Sequence, residues 1–435
     1  MKRYQRGLAL LLTAAMTVSL FVGCGKQGGG ANTDKDTDGP VTLRVATTRG
    51  EDDKVMLALI DSFKEKYPDL QIDFKLEAIV GDYTSKLTTQ VAAKTAPDII
   101  WINDVQSRKM ASLGVLEDLT NYYEENDFDA SDVYESMLSC GAYQGGQYMI
   151  PRDYNHLVTY YNKKLFDEKG VPYPKDGWTW EEFVETASKF TEKVGDVYTR
   201  RGCEGWLTWG ACAPILMMGL GGTFTNPFPQ GTEANFDTAG TREALKQIKQ
   251  LVDDGILIND YRNETGDFGS GKIAMNFHTR ATLSTICDAI GTENVGVTTF
   301  PVLPKQHLIG AGSSGYAMVT SCENKSAAAK FLFHIISREG QTAFSETGDC
   351  VPVLKSMAND DVWRNSVEGI PAEPYLADSE YDILQPMLLV ADDTVSTRFD
   401  SCWTNALSGL LTNIFTVEEA AEFGQNELET AFERK

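Results

Sequence analysis

The sequence has few residues suited to holding a metal ion. Its four histidines, His156, His278, His307 and His334, are scattered along the chain, and no HExxH motif or Cys/His cluster occurs. No pair of cysteines has the CxxC spacing. We therefore expect no metal site and no other cofactor.

The eight cysteines do not form a recognisable disulfide framework. Cys24 has a separate role, described below, and the remaining seven are an odd number at wide spacings. Two alternatives stay open: a single pair such as Cys203–Cys212, or buried free thiols throughout. We expect free thiols.

Cations are scarce relative to acids. The chain carries 39 Lys and Arg against 62 Asp and Glu, which gives a formal net charge of −23. Such a surface repels phosphate backbones and anionic lipids, so the sequence excludes a nucleic-acid-binding protein. Beyond the N-terminus, no apolar run approaches the roughly 20 residues that a membrane-spanning helix needs.

The N-terminus has the pattern of a bacterial export signal. Lys2, Arg3 and Arg6 precede an apolar stretch that is too short to span a membrane and ends at Gly23-Cys24. This junction resembles a lipobox, which implies cleavage after Gly23 and a lipid on the thiol of Cys24. Ordinary cleavage beside an incidental cysteine is the alternative. Residues 24–40 are rich in glycine and polar residues, as in a flexible tether.

About 395 residues follow the tether, too many for one hydrophobic core and suited to two domains. Strand-like and helical patterns alternate from residue 41 onwards, which indicates an α/β fold. The stripe Val55, Leu59, Ile60 and Phe63 predicts one helix. Thr179, with Glu182 three residues later, predicts a capping box at the start of another.

Several motifs suggest chemistry but lack the required context. Residues 310–315 (GAGSSG) match GxGxxG, yet a strand-like run follows where a dinucleotide site needs a helix. Residues 266–272 (GDFGSGK) are followed by Ile273, which has no hydroxyl for magnesium. No GxSxG occurs, and the adjacent acid pairs sit at expected helix ends and in loops. We therefore expect no enzymatic activity.

A series of segments, in order, resembles the family 1 extracellular solute-binding proteins, receptors of ABC-type sugar importers. The segments are residues 82–104 (DYTSKLTTQVAAKTAPDIIWIND), 113–119 (LGVLEDL), 148–183 (YMIPRDYNHLVTYYNKKLFDEKGVPYPKDGWTWEEF), 268–275 (FGSGKIAM), 295–304, 310–319 and 327–353. Together they cover nearly all of the chain after the tether.

The resemblance implies a two-lobe, periplasmic-binding-protein-like fold of type II, with the ligand in a cleft between α/β lobes. Lobe one would comprise 41–152 plus 292–312, and lobe two 158–290 plus 317–435. The chain would cross between lobes near 151–157, 291 and 312–315. Glycines at the last crossing would tolerate the dihedral changes of lobe closure.

The implied function is extracellular capture of a sugar, expected to be an oligosaccharide, and its delivery to the permease subunits of an ABC importer. The protein would be a monomer on the outer face of the cell membrane, held there by its lipid. A polyamine, a peptide or a phosphate ester is the alternative ligand, and a secreted glycan-processing enzyme the alternative class.

A sugar site needs aromatic faces and short polar groups. In an α/β fold these lie at the carboxyl ends of strands and at the crossings. Trp403 is included because it matches a late aromatic position of the resembled family. The candidate ligand-binding residues are Thr48, Arg49, Glu51, Tyr83, Asn103, Asp104, Asp153, Tyr154, Asn155, Trp206, Trp209, His278, Arg280 and Trp403.

Overall fold

The computed structural model describes residues 40–47, 53–79, 83–229, 231–262, 264, 268–390 and 392–433. Helices and strands alternate over much of this part of the chain. Strands β1–β17 are Val41–Thr47, Ile72–Ala78, Ile99–Asn103, Ala142–Tyr143, Gly146–Gln147, Ile150–Pro151, Asn155–His156, Val158–Asn162, Glu192–Val194, Val197–Glu204, Thr225–Asn226, Glu233–Ala234, Ile273–His278, Val295–Thr299, Ile309–Gly312, Ser314–Met318 and Asp382–Ile383. Helices α1–α15 are Lys54–Lys66, Tyr83–Ala92, Asp104–Ser112, Glu135–Ser139, Lys163–Lys169, Trp180–Ser188, Ala213–Gly219, Ala239–Asp253, Leu283–Ile290, Lys325–Ile335, Arg338–Ser345, Asp361–Arg364, Pro386–Leu389, Asp393–Leu411 and Val417–Glu433.

Local sequence signals account for the helices predicted from them. Asp53 caps α1 by accepting hydrogen bonds from the amides of Val55 and Met56, and the predicted apolar stripe of this helix is buried. At α6, the Thr179 hydroxyl accepts from the Glu182 amide at 3.2 Å, and the Glu182 carboxylate accepts from the Thr179 amide at 2.8 Å. The predicted capping box is therefore confirmed.

The first sheet has the strand order β2-β1-β3-β16-β6. Strand β1 runs parallel to β2 and β3, whereas β16 is antiparallel to both β3 and β6. Helix α10 packs on β1, β6 and β16. Lobe two was expected to hold residues 317–435, but β16 and α10 pack with the first sheet. That expected boundary is wrong because the chain returns to the first sheet immediately after β15.

The second sheet has the strand order β14-β8-β13-β10-β9. Strand β8 lies antiparallel between β13 and β14, and β10 runs parallel to β13. Residues 292–312 were expected in lobe one, but β14 pairs along its length with β8. The expected crossing near Gly291 is also wrong. Gly291 joins α9 to β14, and both elements follow β13 in the part of the chain that forms the second sheet.

A third sheet, here called the linking sheet, has the order β17-β15-β7. The chain passes through β7 between β6 of the first sheet and β8 of the second, and returns through β15 between β14 and β16. The crossings expected near 151–157 and 312–315 lie at or beside these passages. Strand β17 adds a third passage, which the sequence did not predict.

The glycines of the GAGSSG motif allow close packing rather than unusual dihedrals. None of them is among the described glycines with positive φ. A Cβ on Gly310 would lie 1.8 Å from the Ala211 carbonyl oxygen, and one on Gly315 would lie 2.0 Å from that of Ile150. The motif therefore brings β15 and β16 against neighbouring backbone. The φ values of its glycines give no support to the expectation that these glycines serve as a hinge.

Cys203 and Cys212 are both buried and free, and the other cysteines in the described part of the chain are free as well, with only Cys287 among them half-buried. The alternative of a Cys203–Cys212 disulfide is therefore wrong. No helix within the described residues is long and apolar enough to cross a membrane.

Candidate functional site

A cavity of about 200 Å³ opens where the linking sheet meets the carboxyl ends of β3 and β13. Both main sheets and all three passages contribute to its wall. The lining residues are Asn103, Asp104, Asn155, Trp209, Ala211, His278, Thr279, Ala281, Gly310, Ala311, Gly312, Ser313, Ser314 and Gln385. Five of these, Asn103, Asp104, Asn155, Trp209 and His278, are among the residues predicted from the sequence.

Asn103 and Asp104 mark the junction of β3 and α3. The Asn103 side chain accepts from the Gln106 amide at 2.8 Å and the Gln106 side chain accepts from the Asn103 amide at 3.0 Å, so this junction is a capping box. Asp104 is only 5% exposed. Burial raises the pKa of its carboxyl to about 6, although hydrogen bonds from the Val105 amide and Gln385 oppose the shift.

Gln385 reaches Asp104 from the segment after β17. Its amide nitrogen donates to Oδ1 of Asp104 at 3.0 Å and to Oδ2 at 3.1 Å. The Val105 amide donates to Oδ1 at 2.8 Å. A Cβ on Gly312 would lie 3.1 Å from Oδ2, so the missing side chain there leaves room for the carboxylate.

His278 ends β13 and lies between two indoles. Its ring centroid is 5.5 Å from Trp209, at a tilt of 36°, and 5.5 Å from Trp206, nearly perpendicular to it. The Thr279 amide donates to Nδ1 of His278 at 2.9 Å, which leaves Nε2 as the N–H donor of a neutral ring. Burial lowers the pKa of His278 to about 4, which keeps the ring neutral at physiological pH.

Trp206 supports this cluster without lining the cavity. Its Nε1 donates to Oδ1 of Asn276 at 2.9 Å, and Asn276 donates in turn to Glu204 at 3.3 Å. These bonds fix the Trp206 indole edge-on to His278. Trp206 thus helps to hold His278, and its predicted contact with the ligand stays a prediction.

Asn155 brings an unpaired acceptor to the cavity wall. It lies in β7, opposite Gly312 of β15. Its Oδ1 is buried and accepts no hydrogen bond from any described residue. Since a buried polar atom without a partner costs free energy, this oxygen favours a ligand that donates a hydrogen bond to it.

Three other predicted residues, which belong to the first sheet and to the first crossing, are not among the residues that line the cavity. Tyr83 is buried, with its hydroxyl donating to the Trp101 carbonyl at 2.7 Å. Asp153 is fully buried and ion-paired with Arg152 at 3.0 Å. Tyr154 is fully buried, and its hydroxyl donates to Asp382 of β17. Each is already satisfied within the protein.

Two predicted residues of the second half of the chain are also interior. Arg280 is 1% exposed, donates to the carbonyls of Gly348 and Trp363, and lies 4.8 Å from the centroid of the Tyr375 ring. Trp403 lies inside α14, not in a loop, and is 2% exposed in the apolar core beside α15. Its Nε1 donates to Asp400 at 3.1 Å. The expected ligand contacts of both residues are replaced by packing contacts.

The remaining predicted residues, Thr48, Arg49, Glu51 and the lipid attachment residue Cys24, lie outside the described residues and stay predictions. Sequence reasoning missed Gln385, Thr279, Ser313 and Ser314 as lining residues. The serines lie in the GAGSSG motif, whose glycine content marked it as a crossing. Gln385 has no local signal, because its position depends on the unpredicted third passage.

Residues 58–372 match the profile of the bacterial extracellular solute-binding protein family. The multiple sugar-binding protein of Streptococcus mutans is 21% identical over 83% of this chain and 85% of its own length. The mannitol-binding protein of Pseudomonas aeruginosa is 25% identical over 62% of each chain.

A solved structure, the ABC substrate-binding protein of Listeria monocytogenes in complex with cycloalternan, superposes with a TM-score of 0.74. It is 23% identical, and the match covers 91% of this chain and 99% of that one. The likeness shows that this chain has the two-lobe fold of periplasmic binding proteins, as predicted.

Proposed function

We propose that this chain, which belongs to the bacterial extracellular solute-binding protein family, captures a carbohydrate in the cavity at the linking sheet and delivers it to an ABC importer. One observation carries the proposal. The cavity wall combines the Trp209 indole with the Oδ1 acceptor of Asn155, which no described residue satisfies, and with the Gln385 carboxamide, whose nitrogen is bonded to Asp104. An indole matches the C–H face of a sugar ring, and the acceptors match its hydroxyls.

The wall chemistry favours a sugar over the alternative ligands. None of the described lining residues is Lys or Arg, the residues that usually bind a phosphate ester. Asp104 is the one carboxylate in that part of the wall, and Gln385 already occupies it. A polyamine would need several free carboxylates to replace its water.

The same wall favours binding without catalysis. Glycoside hydrolysis uses two carboxyl groups about 5–9.5 Å apart that flank one bond. The described lining residues supply only Asp104. The sugar is therefore expected to leave the protein chemically unchanged.

The three passages through the linking sheet supply the mechanism of capture. The two main sheets are joined by β7, β15 and the segment after β17, and each of these contributes at least one residue to the cavity wall. Bending within these short segments would open the cavity to admit a sugar and close it again. The closed form would then present a matched surface to the permease subunits.

The lobes follow from this arrangement. Lobe one would comprise 41–152 with β16, α10 and α11, and lobe two would comprise 158–300 with α14 and α15. The protein would act as a monomer on the outer face of the cell membrane, attached through the lipid on Cys24. The Gly23-Cys24 junction and the polar residues 25–40 support this attachment.

Thermal shift against a mixed panel tests the proposal. The panel holds maltotriose, raffinose, an arabino-oligosaccharide, D-mannitol, spermidine, trialanine and glycerol 3-phosphate. A ligand at a hundredfold excess over its Kd stabilises the native state by about 2.7 kcal/mol. We expect a carbohydrate to raise the melting temperature and to be recovered intact. A response to spermidine, trialanine or glycerol 3-phosphate alone would overturn the carbohydrate assignment.

A further inference from the structure

Asp104 was predicted to bind the ligand, but its carboxylate is largely occupied inside the protein. The Val105 amide and the Gln385 amide together place three N–H···O contacts on its two oxygens, between 2.8 and 3.1 Å. The residue is 5% exposed, and Gly312 lies beside Oδ2. Little of the carboxylate is left for a sugar hydroxyl.

Gln385 has a different geometry. Its nitrogen faces Asp104, and an ionised carboxylate only accepts hydrogen bonds, so the amide can have only this orientation. The carbonyl oxygen Oε1 is directed towards Gly210, between the lining residues Trp209 and Ala211. A Cβ on Gly210 would lie 2.3 Å from Oε1. No described residue donates a hydrogen bond to this oxygen.

We propose that Gln385 is a specificity-determining ligand contact, whose Oε1 accepts a hydrogen bond from a carbohydrate hydroxyl, and that Asp104 is a positioning residue that holds the Gln385 amide in this orientation. This inference rests on the proposed carbohydrate function and adds to it. With Asn155 Oδ1, the cavity then presents two amide oxygens as acceptors. Such a pair selects hydroxyl donors and rejects groups that only accept, such as phosphates and carboxylates.

The substitution Asp104→Asn separates positioning from direct contact. The Val105 amide holds the oxygen nearest to it, so the Asn amide nitrogen would face Gln385. Gln385 would keep its contact with that oxygen, but the Asn nitrogen at the Oδ2 position would face the Gln385 nitrogen, and two N–H groups cannot bond to each other. We therefore expect the Gln385 amide to lose its fixed orientation and to present its nitrogen to the cavity in part of the molecules. The shape of the site is kept, while the acceptor at one point is weakened.

The test is a double-mutant cycle measured by isothermal titration with every carbohydrate of the panel above. Gln385→Met keeps the side-chain length and removes the amide. We expect Gln385→Met and Asp104→Asn each to weaken binding roughly tenfold, the equivalent of one lost hydrogen bond in a closed site. In the Met background, Asp104→Asn should cost little more, because Asp104 acts through Gln385.

Gly210→Ala is a third, independent perturbation, since it displaces Oε1 without changing either partner. It should also weaken binding, with little effect on the melting temperature of the ligand-free protein, because the flexible Gln385 side chain can move aside.

The pH profile of carbohydrate affinity is the second readout. Burial raises the pKa of Asp104 to about 6, so wild-type affinity should fall as the pH drops through 6, and the profile of Asp104→Asn should be flatter. Other titratable groups around Asp104 include His278 on the same cavity wall and the buried thiol of Cys140.

The possible outcomes separate a failure of this inference from a failure of the proposed carbohydrate function. If Gln385→Met binds as the wild type does while Trp209→Ala does not bind, the carbohydrate site stands and the inference is wrong. If Asp104→Asn costs the same in the Met background as alone, Asp104 contacts the sugar directly and the positioning role is wrong. If the wild type binds no carbohydrate of the panel, the proposed function fails, and the inference fails with it.

Discussion

The indole of Trp209 and the imidazole of His278 lie 5.5 Å apart at a tilt of 36°, at the wall of the cavity. Trp206 supports His278 from a second side, and the Thr279 amide fixes its Nδ1. An aromatic surface is thus positioned before any ligand arrives. Such preorganisation reduces the entropy lost when a sugar binds.

We predict that Trp209→Ala weakens carbohydrate binding tenfold or more and changes the melting temperature of the ligand-free protein little. The loss reflects removal of a stacking face, worth roughly 1–3 kcal/mol by analogy with other aromatic contacts. Isothermal titration and ligand-free melting curves measure the two effects separately.

Trp403→Ala is the matched control for Trp209→Ala. Trp403 is 2% exposed in the core beside α15, so its truncation should cost about 3–5 kcal/mol of unfolding free energy. Any variant protein that remains folded should still bind. If Trp209→Ala instead melts early, or if Trp403→Ala abolishes binding in protein that is fully folded, the assignment of these two indoles is reversed.

We predict that Gly310→Ala destabilises the protein. The added Cβ would lie 1.8 Å from the Ala211 carbonyl oxygen, a backbone atom that cannot move aside cheaply. Overpacking of this kind costs typically 1–3 kcal/mol. Since Gly310 and Ala211 both line the cavity, carbohydrate affinity should fall as well.

Gly205→Ala is the control for this glycine. Its added Cβ would meet the far end of the Leu257 side chain at 3.1 Å, and that side chain can rotate. Chemical denaturation should therefore show a much smaller loss for Gly205→Ala. Equal unfolding free energies for Gly310→Ala and the wild type would show that β15 does not need its close approach to Ala211.

The parts of the fold that the sequence predicted depend on local signals. The stripe of α1 and the capping box of α6 are encoded within a few residues, and both are present. Asn103 and His278 reach the cavity because each ends a β-rich run, and strand ends meet at one edge of an α/β sheet. The family resemblance added the two-lobe fold, which no local pattern specifies.

The errors arise where tertiary packing decides. Trp403 and Arg280 have side chains suited to a sugar, but neighbouring elements bury both of them. Strands β7 and β17 have two residues each, too short for any periodicity to reveal. Gln385 reaches Asp104 across 281 positions of sequence, so no local pattern could have placed it at the site.

We predict that Cys24→Ala releases the folded protein from the membrane fraction. The substitution removes the thiol to which the lipid would be attached and leaves every residue of the described fold unchanged. Fractionation after a carbonate wash, with immunoblotting, measures the distribution. Cys287→Ala, at a half-buried free thiol of the fold, is the control and should stay with the membrane. Retention of Cys24→Ala would show that the junction is not a lipid attachment site.

The last prediction concerns the stability cost of Asp104. Burial raises the pKa of its carboxyl from 3.8 to about 6, so the folded state prefers the neutral acid. The cost of the ionised form is therefore absent below pH 4, grows between pH 4 and 6, and is complete above pH 6. A shift of about two units corresponds to about 3 kcal/mol.

Asp104→Asn removes this cost, so the ligand-free variant should melt several degrees above the wild type at pH 8, and the difference should vanish near pH 4. Asp129→Asn is the control of opposite sign, because hydrogen bonds from Ser131 lower the pKa of the exposed Asp129 carboxyl. It should not raise the melting temperature at pH 8. A ligand-free Asp104→Asn that melts below the wild type at pH 8 would mean that the bonds from Gln385 and Val105 outweigh the burial of the charge. A higher melting temperature together with weaker carbohydrate binding is the combination expected when a buried charge is retained for function at the expense of stability.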